Sequence, residues 1–533
     1  MKDKALENQK SLQLEIISFL KQNPDIWDHN GSLEDGDIQT IETHGATVLL
    51  GQEIALKIKK PVLYGHMDYS TPEQRRLFCE KELARNKLGA PALYLDVVPI
   101  GEGVDTPFIL GENSQAALDF AVRMRRFKAP DQLDQVVDNN KFNTALQDLL
   151  ADQIADFHKK SSIETDPDKV PDFHSVIDQN FLQLDSFCPE LLPLNTVHQY
   201  RENLHQKFND AKSLFTSLIR KKQVRYGHGD LHLQNLCLFE GKPLLFDAIE
   251  YQDDFVISDI LYDLSFLLMD LWQREEMEAA NRIFNRYLET TGWLTDPDPF
   301  QSLELLPFYL SMRAGIRTHV SASRYYQANS YQEKKRFKAR TRFFFDRAAT
   351  FLDNQPPRLL AIGGFSGSGK STLARNLSPE FGASPGALRL RSDVIRRKLI
   401  DWDDFSPMPQ WAYTPEMSQK TYKAIEQAAS KALAAGHSVI IDAVLDRQCD
   451  QVNFEKIAKL THVPFDGIWL DVDPEIMAQR IEGRTQDASD ATVDILRKQL
   501  AKPVTIEENW HRLDGNGTQS DILKKARTLL KLN

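Results

Sequence analysis

Residues 364–371 read Gly-Phe-Ser-Gly-Ser-Gly-Lys-Ser, which is a complete GxxxxGKS phosphate-binding loop. The loop follows the apolar segment Leu359–Ile362, which predicts a strand, and it precedes Thr372–Leu377, which predicts a helix. A strand, a glycine-rich loop and a helix in this order are the context that such a loop requires. The C-terminal part of the chain is therefore expected to fold as an α/β domain built on a parallel sheet.

The residue types in this loop have separate roles. Glycines let backbone N–H groups turn toward phosphates, and the start of the following helix adds positive potential. Lys370 is predicted to reach the β- and γ-phosphates of a nucleotide, and Ser371 is predicted to ligate Mg2+. The predicted nucleotide-binding residues of the loop are Gly364, Gly367, Gly369, Lys370, Ser371 and Thr372.

The domain organisation follows from a break at residues 353–358, which read Asp-Asn-Gln-Pro-Pro-Arg. Paired prolines cannot continue a helix, and the residue before each proline is pushed to extended geometry. We therefore expect a linker here between a first domain of residues 1–352 and a second domain of residues 359–533. Within the first domain, the patterns predict a β-rich lobe over about 1–127 and a helical lobe over about 128–352.

Composition narrows the class of protein. The 533 residues are 41% hydrophobic and 26% charged, which excludes a globally disordered chain. No apolar run reaches the ~18 residues that a membrane span needs, and the N-terminus lacks the apolar region of a secretory signal. With four scattered cysteines, these features lead us to expect a cytoplasmic protein. The net charge of -11 disfavours extensive contact with nucleic acid or anionic lipid.

A second group of polar residues lies between Tyr226 and Glu250. Asp230 is followed five residues later by Asn235, and a predicted hairpin then delivers Asp247, which is the spacing of a kinase catalytic loop. Phosphoryl transfer needs a carboxylate that accepts the proton of the attacking hydroxyl, and an amide and a second carboxylate that hold the metal. We therefore predict Asp230 as the base and Asn235 and Asp247 as metal ligands, although each alone would be an ordinary turn residue.

The upstream half of the same site is predicted independently. Ile54–Lys57 reads as a strand whose lysine would hold the α- and β-phosphates. Lys59 lies two residues further on and faces the same side of the strand, so it remains a second candidate. Glu82 on the following helix is predicted to pair with the lysine, and Glu80 is the alternative.

These residues resemble the catalytic segments of the aminoglycoside phosphotransferase family, which includes choline kinases and other small-molecule kinases. The resemblance covers roughly residues 40–350 and implies a two-lobed, protein-kinase-like α+β fold that binds ATP and Mg2+. It also implies that Asp259 and Asp263 are structural anchors. There is one departure: Thr43–Ala46 stands where protein kinases have GxGxxG, so the means of covering the phosphates is left open.

Further acidic and basic residues follow the phosphate-binding loop. Leu388–Asp393 predicts a second strand that ends in an acidic residue, and Ser438–Asp442 predicts another. Residues 358–533 resemble P-loop kinases such as gluconate kinase, zeta-toxin and the polynucleotide 5′-kinase group, with a three-layer α/β fold. The resemblance implies that Asp393 is the base for an acceptor hydroxyl, with a helix N-cap as its alternative role. It also implies that Arg480 and Arg484, which share one helix face, belong to a lid over the transferred phosphoryl group.

The combination of the two regions resembles bacterial proteins that fuse an aminoglycoside phosphotransferase-like domain to an AAA-type ATP-binding domain. It implies two ATP sites that each transfer a γ-phosphoryl group to a hydroxyl of a small polar acceptor. One alternative is a polynucleotide 5′-hydroxyl kinase, which predicts a basic groove at Arg389, Arg391, Arg396 and Arg397. Another alternative is a nucleotide-sensing ATPase whose N-terminal domain is a pseudokinase.

Overall fold

The structure is a computed structural model that describes residues 2–28, 38–64, 67–103, 106–111, 117–353, 355–402, 406–483 and 489–532. The chain divides into two compact units. The first unit consists of Met1–Pro171 with Val224–Leu264, and the second consists of Asp172–Gln223 with Ser265–Asn533. None of the helices in these described ranges combines the length and the apolar character needed to cross a membrane.

The first unit is built on a six-stranded antiparallel sheet with the strand order β1-β2-β3-β8-β6-β7. Three two-stranded ribbons, β4-β5, β9-β12 and β10-β11, complete its strands. The elements are α1 (Lys2–Gln22), β1 (Gln39–Glu42), β2 (Ala46–Leu50), β3 (Ile54–Lys59), β4 (Leu63–Tyr64), β5 (Met67–Asp68), α2 (Pro72–Gly89), β6 (Tyr94–Glu102), β7 (Phe108–Leu110), β8 (Asp119–Arg125), α3 (Leu133–Asp138), α4 (Thr144–Lys160), β9 (Val224–Tyr226), β10 (Leu236–Phe239), β11 (Lys242–Leu245) and β12 (Ile257–Asp259).

The side chains of β3 alternate between the two faces of this sheet, with apolar residues on one face and lysines on the other. Leu56 and Ile58 are fully buried and join the core that α1 covers through Ile16 and Leu20. Because successive side chains of a strand point to opposite faces, the intervening lysines point to the other face. Helix α2 packs on that face; it begins at Pro72, and the Thr71 side chain caps its first turn.

The second unit contains a five-stranded parallel sheet with the order β14-β15-β13-β16-β17. Helices surround it, and α7 (Ile260–Gln273) leads into this unit from the first. Its other elements are α5 (Phe173–Asp185), α6 (Leu194–Arg220), α8 (Met277–Thr290), α9 (Leu306–Gln327), α10 (Tyr331–Phe351), β13 (Leu359–Gly363), α11 (Lys370–Leu377), β14 (Leu388–Arg391), α12 (Ser392–Leu399), α13 (Pro415–Ala434), β15 (Val439–Asp442), α14 (Gln448–Leu460), β16 (Phe465–Asp471), α15 (Pro474–Glu482), α16 (Val493–Leu500), β17 (Trp510–Asp514) and α17 (Gln519–Leu530).

Two asparagines of α8 cover the outer edge of β14. The Asn281 side chain donates to the carbonyl of Ala387 at 3.1 Å, and the Asn285 side chain donates to the same carbonyl at 3.1 Å. Asn285 Oδ1 also accepts the backbone N–H of Arg389 at 2.7 Å. An edge strand exposes unpaired backbone groups, so these amides satisfy groups that a further strand would otherwise pair. The predicted linker at 353–358 lies inside this second unit, and the two-domain division there stays a prediction.

Candidate active sites

Lys57 lies between two carboxylates in the first unit. Its Nζ is 2.8 Å from Oε1 of Glu82 on α2 and 2.5 Å from Oδ1 of Asp247. Burial alone would lower the pKa of Lys57, but the carboxylates of Asp247 and Glu82 outweigh it and hold this pKa well above its ordinary value. The lysine is therefore charged, and the three residues predicted separately from the sequence lie together. The alternative Glu80 instead pairs with Arg76 on the exposed side of α2.

The loop after β9 presents Asp230, whose side chain is 38% exposed. Asn235 Nδ2 donates to Asp230 Oδ2 at 2.8 Å and to the Asp230 carbonyl at 2.9 Å, and His232 Nε2 lies 3.3 Å from the same carboxylate. The backbone N–H of Phe246 donates to the carbonyl of Asn235, which sets Asn235 beside the segment that carries Asp247. The five-residue spacing thus places the Asn235 amide against the Asp230 carboxylate.

Asp263 anchors this loop from α7. Its Oδ2 accepts the backbone N–H of His228 at 2.7 Å, and its Oδ1 accepts that of Gly229 at 2.9 Å. His158 Nε2 lies 3.1 Å from the same Oδ2, so this buried histidine supports the anchor. Asp259, the other expected anchor, accepts the N–H of Leu261 at the start of the same helix. These contacts agree with the structural roles that the resemblance implied.

Side chains of the sheet and of α2 hold the Asp247 loop. Asp247 has a φ of +62°, a left-handed conformation that needs support from its surroundings. The hydroxyl of Tyr94 accepts its N–H at 3.2 Å, and Oδ1 of Asn86 accepts the N–H of Ala248 at 2.9 Å. Arg85 also donates to the carbonyl of Ile249. The backbone that carries the predicted metal-binding carboxylate is therefore fixed at three successive residues.

Glu250 is a site residue that no sequence motif indicated. Its carboxylate pairs with Lys59 and accepts the Tyr69 hydroxyl at 2.7 Å. Lys59 Nζ also lies 2.7 Å from Oε2 of Glu82, and its side chain is only 1% exposed. Two features of the sequence could have indicated Glu250. It lies three residues after Asp247, and a second lysine is present on the same face of β3.

A cavity of about 580 Å³ connects these groups. Its lining includes the predicted residues Lys57, Asp230 and Asp247, four further charged residues (Lys59, Arg125, Arg126 and Glu250) and many apolar side chains. Its size and this mixture of charged and apolar side chains suit a nucleotide, which has an apolar base and charged phosphates. The apolar lining includes Ala55, Leu93, Met124, Phe127 and Phe246.

The phosphate-binding loop of the second unit has the backbone that its glycines predict. Gly364, Gly367 and Gly369 have φ values of +148°, +83° and +93°, and α11 begins directly afterwards at Lys370. A Cβ on Gly367 would overlap the carbonyl of Met477, so this position also needs glycine for packing. Lys370 Nζ donates to the carbonyl of Phe365 at 3.3 Å across the loop. Left-handed glycines at a helix start form a cradle that fits phosphates.

The other residues predicted for this site differ in what the structure shows of them. Arg480 NH1 donates to the carbonyl of Ser368 at 3.2 Å, so it contacts the phosphate-binding loop directly, whereas Arg484 lies outside the described residues. Asp393 is the second residue of α12, and the N-cap position is occupied by Arg391, so the N-cap alternative is wrong. Ser371 and Thr372 occupy the first turn of α11. At the end of β15, Asp442 pairs with Arg391, whose Nε is 3.5 Å from Oδ2.

Two protein-family models match this chain, each at residues that contain one of the two candidate sites. Residues 102–299 match the model of a phosphotransferase enzyme family, and residues 359–503 match the model of an AAA domain. Both matches support a phosphotransferase function, and families of this kind bind ATP and typically use Mg2+. Lys57 and Glu82 precede the first match, so this family match does not cover them.

Full-length relatives and solved structures were also found. Uncharacterized proteins of Mycobacterium tuberculosis and Mycobacterium bovis are each 26% identical over 499 residues, which cover 92% of this chain and 94% of each relative. A choline/ethanolamine kinase family protein from Mesorhizobium loti is 13% identical, with a TM-score of 0.37, over 60% of this chain and 90% of that chain. A gluconokinase from Sinorhizobium meliloti 1021 is 17% identical, with a TM-score of 0.26, over 33% of this chain and 92% of that chain.

Proposed function

We propose that the protein is an ATP-dependent phosphotransferase with two nucleotide sites, each of which transfers a γ-phosphoryl group to a hydroxyl of a small polar acceptor. The observation that carries this proposal is the convergence of Lys57, Asp230 and Asp247 on one cavity. Lys57 is charged and is oriented by Glu82, so it can bind phosphate oxygens. Its neighbour Asp247 is 45% exposed and so remains accessible from the cavity.

In the first site, Asp230 would accept the proton of the acceptor hydroxyl. Asn235 orients the Asp230 carboxylate through its amide N–H, and the exposed part of the carboxylate faces the cavity where an acceptor can approach. Asn235 and Asp247 would hold Mg2+, which when bound neutralises charge on the transferred phosphoryl group. Lys57 is favoured over Lys59 as the phosphate lysine, because Lys59 is buried against Glu250 and Tyr69.

In the second site, the loop at Gly364–Ser371 would bind the triphosphate, and Arg480 would stabilise the phosphoryl group from α15. Ser371 would ligate Mg2+, with Asp442 at the end of the neighbouring strand. Within the described residues, the Asp393 carboxylate forms no hydrogen bond or ion pair, which leaves it available as a base for an acceptor. Asp393 also raises the pKa of the Tyr413 hydroxyl, behind the larger effects of burial and of Asp490.

The test is a screen of polar metabolites and antibiotics with the full chain, ATP and MgCl2, read by mass spectrometry as a gain of roughly 80 Da per phosphoryl group. Asp230→Asn should remove transfer to one acceptor, and Lys370→Ala should remove transfer to another. Asp210→Asn, on the exposed face of α6, is the matched control and should leave both products. If no acceptor gains mass while ATP remains intact, the proposal is wrong.

The polynucleotide alternative is not favoured by the arginines that it requires. Arg396 and Arg397 are 7% and 6% exposed, and both bind groups of the protein itself. Arg396 NH1 donates to the carbonyl of Ala412 at 2.8 Å, and Arg397 NH2 lies 2.6 Å from Asp490. Phosphate backbones are bound by accessible cations, which these two side chains do not offer.

A further inference from the structure

Helices α9 and α10 carry a strong excess of positive charge. Residues 306–351, which include both helices, contain ten arginines and lysines but only two acidic residues, Glu333 and Asp346. The whole chain has a net charge of -11, so this segment is basic in an otherwise acidic protein. The two helices belong to the second unit, pack against each other and are joined by residues 328–330 alone.

Four of the arginines form what we call the arginine cluster: Arg317 and Arg324 of α9, and Arg336 and Arg340 of α10. The spacings of seven and four residues place each pair on one face of its helix. Arg317 and Arg340 lie over the same ring, that of Phe344, with their guanidinium carbons 5.8 and 5.4 Å from its centroid. An aromatic ring holds the flat face of a guanidinium and leaves the N–H groups at its edge free for an anion.

The charges of the arginine cluster act on one another. Burial lowers the pKa of the Arg340 guanidinium, and the charge of Arg317 lowers it further. Burial also lowers the pKa of Arg324, followed by the charges of Arg317 and Arg336. Like charges that are held close together and partly removed from water favour the binding of an anion that neutralises them.

The protein supplies little negative charge to the arginine cluster. Within the part of the chain that the structure describes, none of its four side chains forms a hydrogen bond or an ion pair. Asp270 of α7 opposes the lowering of the pKa of Arg340. However, the Asp270 side chain is only 3% exposed, and its Oδ1 already lies 3.8 Å from Nε of Arg274. One buried and paired carboxylate therefore faces four arginines.

The lysines of α10 have different surroundings. Lys334 and Lys338 lie on another side of the helix, where Lys334 Nζ is 5.8 Å from the ring centroid of Tyr325. A carboxylate, that of Glu190, is near them: hydrogen bonds from Tyr326 and Tyr325 are the main cause of its lowered pKa, and the charges of Lys338 and Lys334 contribute. Uncompensated positive charge is therefore confined to the arginine cluster and does not extend around the helix.

We propose that the arginine cluster binds a small ligand that carries two or more phosphate groups. The guanidinium fork matches the geometry of phosphate, and four guanidinium groups on two adjacent helices can bind more than one phosphate at once. Arg317 and Arg340 are half-buried while the other two are exposed, so the cluster is accessible and partly enclosed, which favours a compact ligand over a polymer. These arginines belong to neither candidate active site, so the inference does not depend on the proposed function.

The test is calorimetric titration of the full chain with myo-inositol hexakisphosphate and with inorganic phosphate. All proteins carry Lys370→Ala, so that the phosphate-binding loop does not compete for the probe. We expect the hexakisphosphate to bind with a Kd on the order of 10 μM, and inorganic phosphate to bind at least ~100-fold more weakly. Arg317→Gln combined with Arg340→Gln should weaken hexakisphosphate binding by roughly twentyfold or more.

Two further variants make the result specific. Arg324→Gln combined with Arg336→Gln, at exposed positions away from Phe344, should weaken the hexakisphosphate by roughly fivefold or more, and this pair decides if the first pair lowers the Tm. Lys334→Gln combined with Lys338→Gln removes the same charge from the other side of α10. At about 0.15 M salt, where distant charges are screened, it should change the affinity by less than about threefold.

Three results would overturn the proposal. The first is that the hexakisphosphate does not bind. The second is that the lysine pair weakens its binding as much as the arginine pairs do, which would make the effect one of overall charge. The third is that a single-stranded RNA oligonucleotide, titrated in parallel, binds in an arginine-dependent way while the hexakisphosphate does not, which would make the arginine cluster a nucleic-acid site.

Discussion

Lys57 and Lys59 bind the two oxygens of a single carboxylate, that of Glu82, at 2.8 and 2.7 Å. The two lysines lie on one face of β3, yet their surroundings differ. Both line the cavity, but Lys57 is 13% exposed and pairs with the half-exposed Asp247, whereas Lys59 is 1% exposed and is enclosed by Glu250 and Tyr69. One lysine is therefore suited to bind a ligand, and the other to hold the lobe together.

Replacing these lysines separately should distinguish the two roles. Lys59→Met leaves the buried Glu250 carboxylate without its cation, and we expect a loss of about 3–5 kcal/mol in the free energy of unfolding. Lys57→Met should reduce stability less, because Glu82 retains Lys59 and Asp247 can be solvated, but it should lower first-site turnover at least ~100-fold. Urea denaturation and a turnover assay measure the two effects. Equal losses of stability would contradict this assignment.

Gly367 should tolerate no side chain. Gly367→Ala combines a left-handed backbone with overlap on the carbonyl of Met477, so we expect it to abolish nucleotide binding at the second site. Gly436→Ala is a matched control, because Gly436 has a φ of +77° but a Cβ at this position would have no atom within 4 Å. That control should reduce stability by about 1–2 kcal/mol and keep nucleotide binding. Calorimetric titration of both variants with nucleotide measures this difference. If Gly367→Ala retains nucleotide binding, the predicted requirement for glycine at this position is wrong.

His437 should make the stability of the protein sensitive to acid. Burial lowers the pKa of His437 to about 4, against an ordinary value of 6.5, and its ring packs on Phe284 of α8. The unfolded chain therefore binds a proton that the folded chain excludes. The contribution of neutral His437 is fully present above pH 6.5 and is lost as the pH falls toward 4, by up to about 3 kcal/mol.

Urea denaturation of the wild type and of His437→Leu at pH 7 and pH 5 measures this effect. The variant should be less stable than the wild type at pH 7, but its stability should fall less between the two pH values. Burial lowers the pKa of His319 to about 4 as well, so part of the pH dependence should remain in the variant. An unchanged pH dependence in His437→Leu would contradict the assignment.

The hydrogen bonds from Asn281 and Asn285 to the edge of β14 should contribute measurably to the free energy of unfolding. Asn285→Ala removes the acceptor of the Arg389 N–H and one donor to Ala387, and we expect a loss of about 1–3 kcal/mol. Asn203→Ala, at an exposed position of α6, is the control and should be nearly neutral. Chemical denaturation followed by fluorescence reports both variants. If the two behave alike, the amides of α8 do not stabilise the sheet.

Local patterns predicted most of what these sites contain. The four residues between Asp230 and Asn235 form one loop, and the glycines of the second site allow the positive φ values that the loop adopts, so the spacing was enough to predict both features. The choice between Lys57 and Lys59 could not be made from sequence, because both share a strand face and burial decides between them. Glu250 pairs with Lys59 across 191 positions of the chain, a relation that only the folded structure creates.

The two amides that cover β14 also bear on how the chain could be divided. They come from residues 281 and 285, well before the paired prolines at 356 and 357 that look like a natural place to cut. A fragment that started after those prolines would keep all five parallel strands but would lose the groups that satisfy the outermost one. The unpaired backbone groups of β14 would then be available to pair with other copies of the fragment. Soluble expression of such a fragment therefore requires replacing those contacts or retaining α8.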